Sequence, residues 1–68
     1  MELKKIREAN NMTQSELAER INVTQGVISM WEIGLCNPGL DNVMKLAQTL
    51  HCSIDELLKD PNKEESNE

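Results

Sequence analysis

The sequence predicts an all-α fold, and three observations predict it. Apolar residues recur at helical spacing in every patterned segment, and no stretch shows the β-branched alternation of a strand. Two T/S-x-x-E signatures, T-Q-S-E at Thr13 to Glu16 and S-I-D-E at Ser53 to Glu56, mark helix starts. Asn, Gly and Pro punctuate the chain between the apolar segments.

Taken in order, Leu3 and Ile6 share one face of a first helix over about Glu2 to Ala9. Asn10-Asn11 then provides the turn, since Asn tolerates the left-handed conformation that a turn requires. Thr13 opens a capping box, its hydroxyl accepting from the Glu16 amide while the Glu16 carboxylate reaches back to Thr13. The second helix, Gln14 to Ile21, is expected to turn Leu17, Ala18 and Ile21 inward and Gln14, Glu16, Glu19 and Arg20 to solvent. Asn22 ends it and Val23 enters the core. Thr24 caps a third helix, Gln25 to about Glu32, with Val27, Ile28 and Trp31 inside and Gln25, Gly26, Ser29 and Met30 outside. Gly34 terminates that helix, and Asn37-Pro38-Gly39 forms a loop. A fourth helix, Leu40 to Leu50, carries a wide stripe of Leu40, Val43, Met44, Leu46, Ala47 and Leu50, all expected to be buried. His51 marks a turn, and the second capping box opens a short fifth helix through Leu58. The expected domain is thus residues 1–59, followed at 60–68 by an acidic tail with no apolar anchor, expected to be disordered.

Sixty-eight residues allow one small domain, which buries only about 60% of its unfolded surface and leaves little core for a second activity. The apolar fraction is 38% and the mean hydropathy is −0.53, values ordinary for a globular chain. No apolar run approaches the roughly 20 residues of a membrane span. The mixed-charge start Met1 to Ile6 lacks the apolar core of a signal peptide, so a cytoplasmic location is expected. Cys36 and Cys52 fit neither a redox pair nor a zinc framework and read as free thiols, a disulfide between them being the competing reading. No acid–base pair, nucleophile constellation, phosphate loop or metal cluster is present in the pattern, which argues against an enzyme, a cofactor and a metal. The single His51 stands alone and reads as a turn residue. The net charge is −5, opposite to the basic balance of most nucleic-acid binders, and no Lys or Arg falls between Ile21 and Met44.

The chain resembles the lambda-repressor-like helix-turn-helix family of phage and bacterial transcription regulators, the Xre type. The resemblance covers about Leu3 to Leu58. T-Q-S-E-L-A opening the second helix, the turn Asn22-Val23-Thr24, the closing W-E-x-G at Trp31 to Gly34, the N-P loop and the S-I-D-E-L-L ending carry it jointly. It implies a five-helix domain whose helix-turn-helix is formed by helices 2 and 3. In such proteins the third helix lies in the major groove while the second crosses the backbone. The resemblance therefore makes Gln25, Gly26, Ser29 and Met30 the base-facing set, and Gln14, Thr24 and Asn37 phosphate-contacting or positioning residues. It also implies a structural ion pair between Arg7 and Glu32, tying the first helix to the third. Here the sequence departs from the family's pattern by holding Met30, Ile33, Leu35 and Cys36 at commonly basic or polar positions, and Asn11, Asn22 and His51 at turns that often use glycine. The turn changes are tolerable, because Asn and His are enriched among non-glycine residues at positive φ.

Each residue also has a plainer reading. Gln25 can fork to adenine, or be a solvated residue at a helix start. Ser29 can meet a base or phosphate, or bond its own backbone. Met30, Ile33 and Leu35 can contact thymine methyls or a protein partner, or be ordinary exposed apolar residues. Lys4, Lys5 and Lys45 can reach phosphates or merely solubilise. Two functions follow. The first is a sequence-specific regulator of transcription, expected to be a repressor, binding double-stranded DNA as a homodimer. The alternative is a protein-interaction module of the same fold, using an apolar patch at residues 30–36.

Overall fold

Local capping signals set most of the boundaries in the computed structural model, which describes residues 1–59; the expected tail at 60–68 lies outside the described residues. Five helices follow one another: α1 (Leu3–Ala9), α2 (Gln14–Ile21), α3 (Gln25–Glu32), α4 (Leu40–Thr49) and α5 (Ile54–Leu58), with no strand among the described residues. The capping boxes of α2 and α5 are complete, with Thr13 and Ser53 hydroxyls accepting from the Glu16 and Glu56 amides at 3.0 Å each. Their reciprocal bonds, from the Thr13 and Ser53 amides to the two carboxylates, measure 2.9 and 3.0 Å. The Thr24 hydroxyl caps α3 alone, accepting from the Val27 amide at 3.2 Å.

The first four helices all end in the same way. A left-handed residue follows each, namely Asn11, Asn22, Gly34 and His51, with φ of 58, 66, 83 and 56°. At each end the next amide reaches back over the turn: Met12 to the Arg7 carbonyl, Val23 to Ala18, Leu35 to Met30 and Cys52 to Ala47, at 2.9–3.2 Å. This six-residue closure satisfies carbonyls that a helix terminus leaves without intrahelical donors, and an apolar residue commonly follows the turn to pack back on the helix. Met12, Val23 and Cys52 do so. Leu35 does not, and is 68% exposed.

The core gathers Leu3, Leu17, Ala18, Ile21, Ile28, Trp31, Val43, Leu46, Leu50 and Leu57. α2 packs on α3 and α4, α1 on α3 and α5, and α4 on α5. The Glu2 amide donates to the Leu57 carbonyl at 2.9 Å, and Asn10 Nδ2 donates to the Ile6 and Leu50 carbonyls at 2.9 and 3.2 Å. The N-terminus is thereby tied to the end of the chain's core. Glu2 precedes α1 rather than beginning it, and Leu50 follows α4.

The stripe expected on α4 is narrower in the structure. Val43, Leu46, Ala47 and Leu50 are buried at i, i+3, i+4 and i+7, whereas Leu40 and Met44 are 70% and 46% exposed. Met44 lies one residue, about 100° of helix, off that stripe, and Leu40 is one turn before it on the same flank. Trp31 belongs to the core at 6% exposure, though Leu3, Leu17, Ile28, Leu46 and Leu57 are enclosed more completely. Val23 and Val27 are only partly buried. Both thiols are free, Cys36 exposed and Cys52 half-buried. Burial, and secondarily the Glu56 charge, pushes the Cys52 thiol up, which favours an inert packing role. No helix among the described residues is long and apolar enough to cross a membrane.

Candidate nucleic-acid interface

The turn between α2 and α3 is three residues long, and it places the first residues of both helices side by side. Asn22 closes α2 in the left-handed conformation, Val23 packs against the core and Thr24 caps α3. The side chains at the two helix starts therefore meet. Gln25 Nε2 lies 3.4 Å from Gln14 Oε1, and Gln14 Nε2 donates to Glu32 Oε1 at 2.9 Å.

Glu32 is in turn held by Arg7. The guanidinium donates from Nε to Oε2 at 2.7 Å and from Nη2 to Oε1 at 3.2 Å, while Nη1 donates to the Met12 carbonyl at 2.7 Å. The paired side chains are 8% and 3% exposed. Burial pushes the Glu32 carboxyl up, yet hydrogen bonds from Arg7 and Gln14, the Arg7 charge and the more distant Lys4 outweigh it and hold the carboxyl below its ordinary value. The Glu32 hydrogen bond raises Arg7 against the cost of its own burial. No buried side-chain polar atom among the described residues lacks a partner.

Gln14 thus departs from its expected solvent-facing position. It is half-buried and bridges α2 to the end of α3. Helical periodicity could not reveal this bridge, because its acceptor lies eighteen residues away on another element. Of the residues expected to face bases, Gln25, Gly26 and Met30 are exposed and Ser29 is half-buried. Thr24 and Asn37 are also exposed. Gly26 has open space around it, since a Cβ built there would meet only Thr24 Oγ1 at 3.9 Å. Ile33 and Leu35 are 69% and 68% exposed, and Leu40 and Met44 on α4 are exposed as well, where the sequence pattern predicted burial.

The exposed charges of α2 are Glu16, Glu19 and Arg20, and Glu19 lines the same surface hollow as Gln25, so the helix pair carries no excess of positive charge. Lys4, Lys5 and Lys45, the basic residues anticipated for phosphates, are exposed but none lies on α2 or α3. The first amides of both helices have no intrahelical acceptor by virtue of helix geometry, and the two helix starts meet at the Gln14–Gln25 edge. Such an edge offers neutral donors and acceptors rather than a field of positive charge. Among the described residues, no group of three His, Cys, Asp or Glu side chains could hold a metal ion.

A helix-turn-helix family model matches residues 3–57. The chain belongs to this family of DNA-binding transcription regulators, with the all-α, lambda-repressor-like fold that its sequence predicts. Among curated relatives, the HTH-type transcriptional activator BcrR of Enterococcus faecalis is 36% identical over 56 residues, which cover 82% of this chain and 28% of that protein. An uncharacterized HTH-type transcriptional regulator of Archaeoglobus fulgidus is 36% identical over 55 residues, covering 81% of this chain and 78% of that one. The cryptic phage CTXphi transcriptional repressor RstR of Vibrio cholerae is 37% identical over 51 residues, 75% of this chain and 46% of that one. This chain therefore spans between 28% and 78% of the length of these relatives.

Proposed function

We propose that the protein is a sequence-specific, DNA-binding regulator of transcription, acting as a repressor, whose homodimer lays α3 in successive major grooves. One module reads a half-site, and two-fold symmetry supplies the other. The observation that carries the reading is the exposed Gln25 at the start of α3, braced by Gln14 and able to fork to adenine N6 and N7. Gly26, Ser29 and Met30 complete the base-facing set, while Gln14, Thr24 and Asn37 position the backbone.

Gly26 supports the same reading. A glycine inside an exposed helix costs about 1 kcal/mol relative to alanine. Nothing inside the molecule requires it here, because the added methyl would have room. A close approach from outside would supply the reason. Gly26→Ala is accordingly expected to raise stability by up to about 1 kcal/mol while weakening DNA binding. Urea denaturation and a binding titration on the same variant test it; lower stability, or unchanged binding, would remove the argument.

Duplexes selected from a random pool give the direct test. Gln25→Ala is expected to weaken binding to the selected site by about 1–3 kcal/mol and to leave non-specific binding nearly unchanged. Each phosphate neutralised adds about −0.9 to the slope of log affinity against log salt, so the scarcity of Lys and Arg near α3 predicts a shallow slope. A uniform loss over all sequences, or failure to select any duplex, would overturn direct reading by α3.

A second reading, a protein-interaction module of the same fold, draws support from the exposed Met30, Ile33 and Leu35 beside α3. Failure of the selection, together with association that Leu35→Ser abolishes, would favour it.

A further inference from the structure

We propose that Glu32, backed by Arg7, is a positioning residue for base reading: through Gln14 it sets which way the Gln25 amide faces, and so lets the protein prefer adenine to guanine. The inference rests on the DNA-reading role proposed above for Gln25. It follows from the donor and acceptor chemistry of four side chains in a row.

The chain of reasoning begins at the buried end. An ionised carboxylate only accepts hydrogen bonds, and a guanidinium only donates them. Arg7 occupies both Glu32 oxygens, at 2.7 and 3.2 Å, and is itself fixed by the Met12 carbonyl. Whatever meets Glu32 Oε1 from the other side must be a donor. The Gln14 amide therefore has to present its NH2 group to Glu32, as it does at 2.9 Å. Its carbonyl oxygen is then forced outward, toward α3. That oxygen is an acceptor, so Gln25 in turn presents its own NH2 group, at 3.4 Å. The last link is long for an N–H···O bond and biases the amide rather than locking it.

One N–H of Gln25 thus points to Gln14, leaving the second N–H and the carbonyl oxygen side by side at the exposed edge. Adenine presents an acceptor, N7, beside a donor, the N6 amino group, and matches that pair. Guanine presents two acceptors, N7 and O6. To meet guanine, Gln25 would have to rotate its NH2 group across both and abandon Gln14. The ion pair at the rear of the site thereby opposes guanine at a base it does not touch. A glutamine with no such brace would rotate and discriminate less.

The test uses the whole chain and duplexes selected from a random pool, with the adenine facing Gln25 changed to guanine in a paired probe. Glu32→Asp keeps a charge opposite Arg7 but withdraws the carboxylate from Gln14; Gln14→Met removes the amide and leaves the ion pair intact. Circular dichroism confirms that each variant is folded before binding is measured. Each is expected to lower the adenine-to-guanine preference by about fivefold or more, within the range that a forked contact supplies, with preferences at other base positions unchanged. The double variant should lose no more preference than Gln14→Met alone. Equal weakening of both probes by Glu32→Asp, with Gln25→Ala still abolishing the preference, would reduce Glu32 to a purely structural residue and overturn the proposal. If Gln25→Ala itself leaves the preference intact, direct reading by Gln25 fails first, and this inference falls with it.

Discussion

Replacing Arg7 by Met is expected to destabilise the fold by about 3–5 kcal/mol, a large share of the stability of so small a domain. The Glu32 side chain is 3% exposed, and without Arg7 its charge would keep only the Gln14 amide as a hydrogen-bonding partner. The carbonyl of Met12, whose amide closes the turn after α1, would lose the Nη1 donor as well. Removing both charges, as Arg7→Met with Glu32→Leu, should cost less than either single change, because no uncompensated charge is then buried. A double-mutant cycle by urea denaturation measures the difference, and additive single effects would show the pair to be uncoupled. Acid provides an independent check. The folded Glu32 carboxyl titrates below its ordinary value near 4.5, so its contribution is complete above that value and is lost as pH falls through the lower, folded one. In the Arg7→Met protein both contributions of Arg7 are gone and burial is opposed only by the Gln14 hydrogen bond and the Lys4 charge, so the carboxyl lies higher than in the parent protein and acidification relieves the buried charge. The stability gap between the two proteins should therefore narrow below pH 4.5. A gap that stays constant would place the cost in lost packing by the arginine stem.

The features legible in the sequence are those whose causes are local. Thr13 with Glu16 and Ser53 with Glu56 satisfy each other's backbone amides within one turn, so their patterns specify the helix starts they form. Asn11, Asn22 and His51 adopt positive φ because their own side chains tolerate it, and each marks a helix end in the sequence. Burial on α4 was not equally legible. Leu40 and Leu46 are the same residue type on the same helix, yet one is 70% exposed and the other 0%, because only packing by α2 and α5 decides which flank is covered. Gln14 shows the same limit in a polar residue. At the first position of an amphipathic helix it reads as solvated, and only the fold brings Glu32 beneath it. Arg7 and Glu32, twenty-five residues apart, could be joined from sequence only through the resemblance to a family, since no periodicity links them.

Trp31→Ala is expected to cost about 3–5 kcal/mol, enough to leave much of the chain unfolded at moderate temperature. Trp31 is the only aromatic residue of the chain, which has no Phe or Tyr to fill the space left behind. It lies one turn after Ile28 and Val27 on the inner face of α3, so it joins that helix to the core along with both. α1 packs directly on α3 as well, and the ring adjoins Glu32 in sequence, so its loss should also loosen the anchor that Arg7 grips. The cavity term should be large, because Leu3 and Leu17, core residues of the two helices that pack on α3, are held by separate helices and cannot both collapse inward. The ring is also the chain's own reporter. At 6% exposure its emission in the native protein should lie well to the blue of that in urea, and the shift should follow the loss of helical circular dichroism in one transition. Native emission already at the position of a solvated indole, or a Trp31→Ala protein with an unchanged melting temperature, would show that the ring contributes no core. The inner face of α3 would then rest on Ile28 and the half-buried Val27 alone, too little to hold Gln25 and its neighbours in a fixed orientation for any partner.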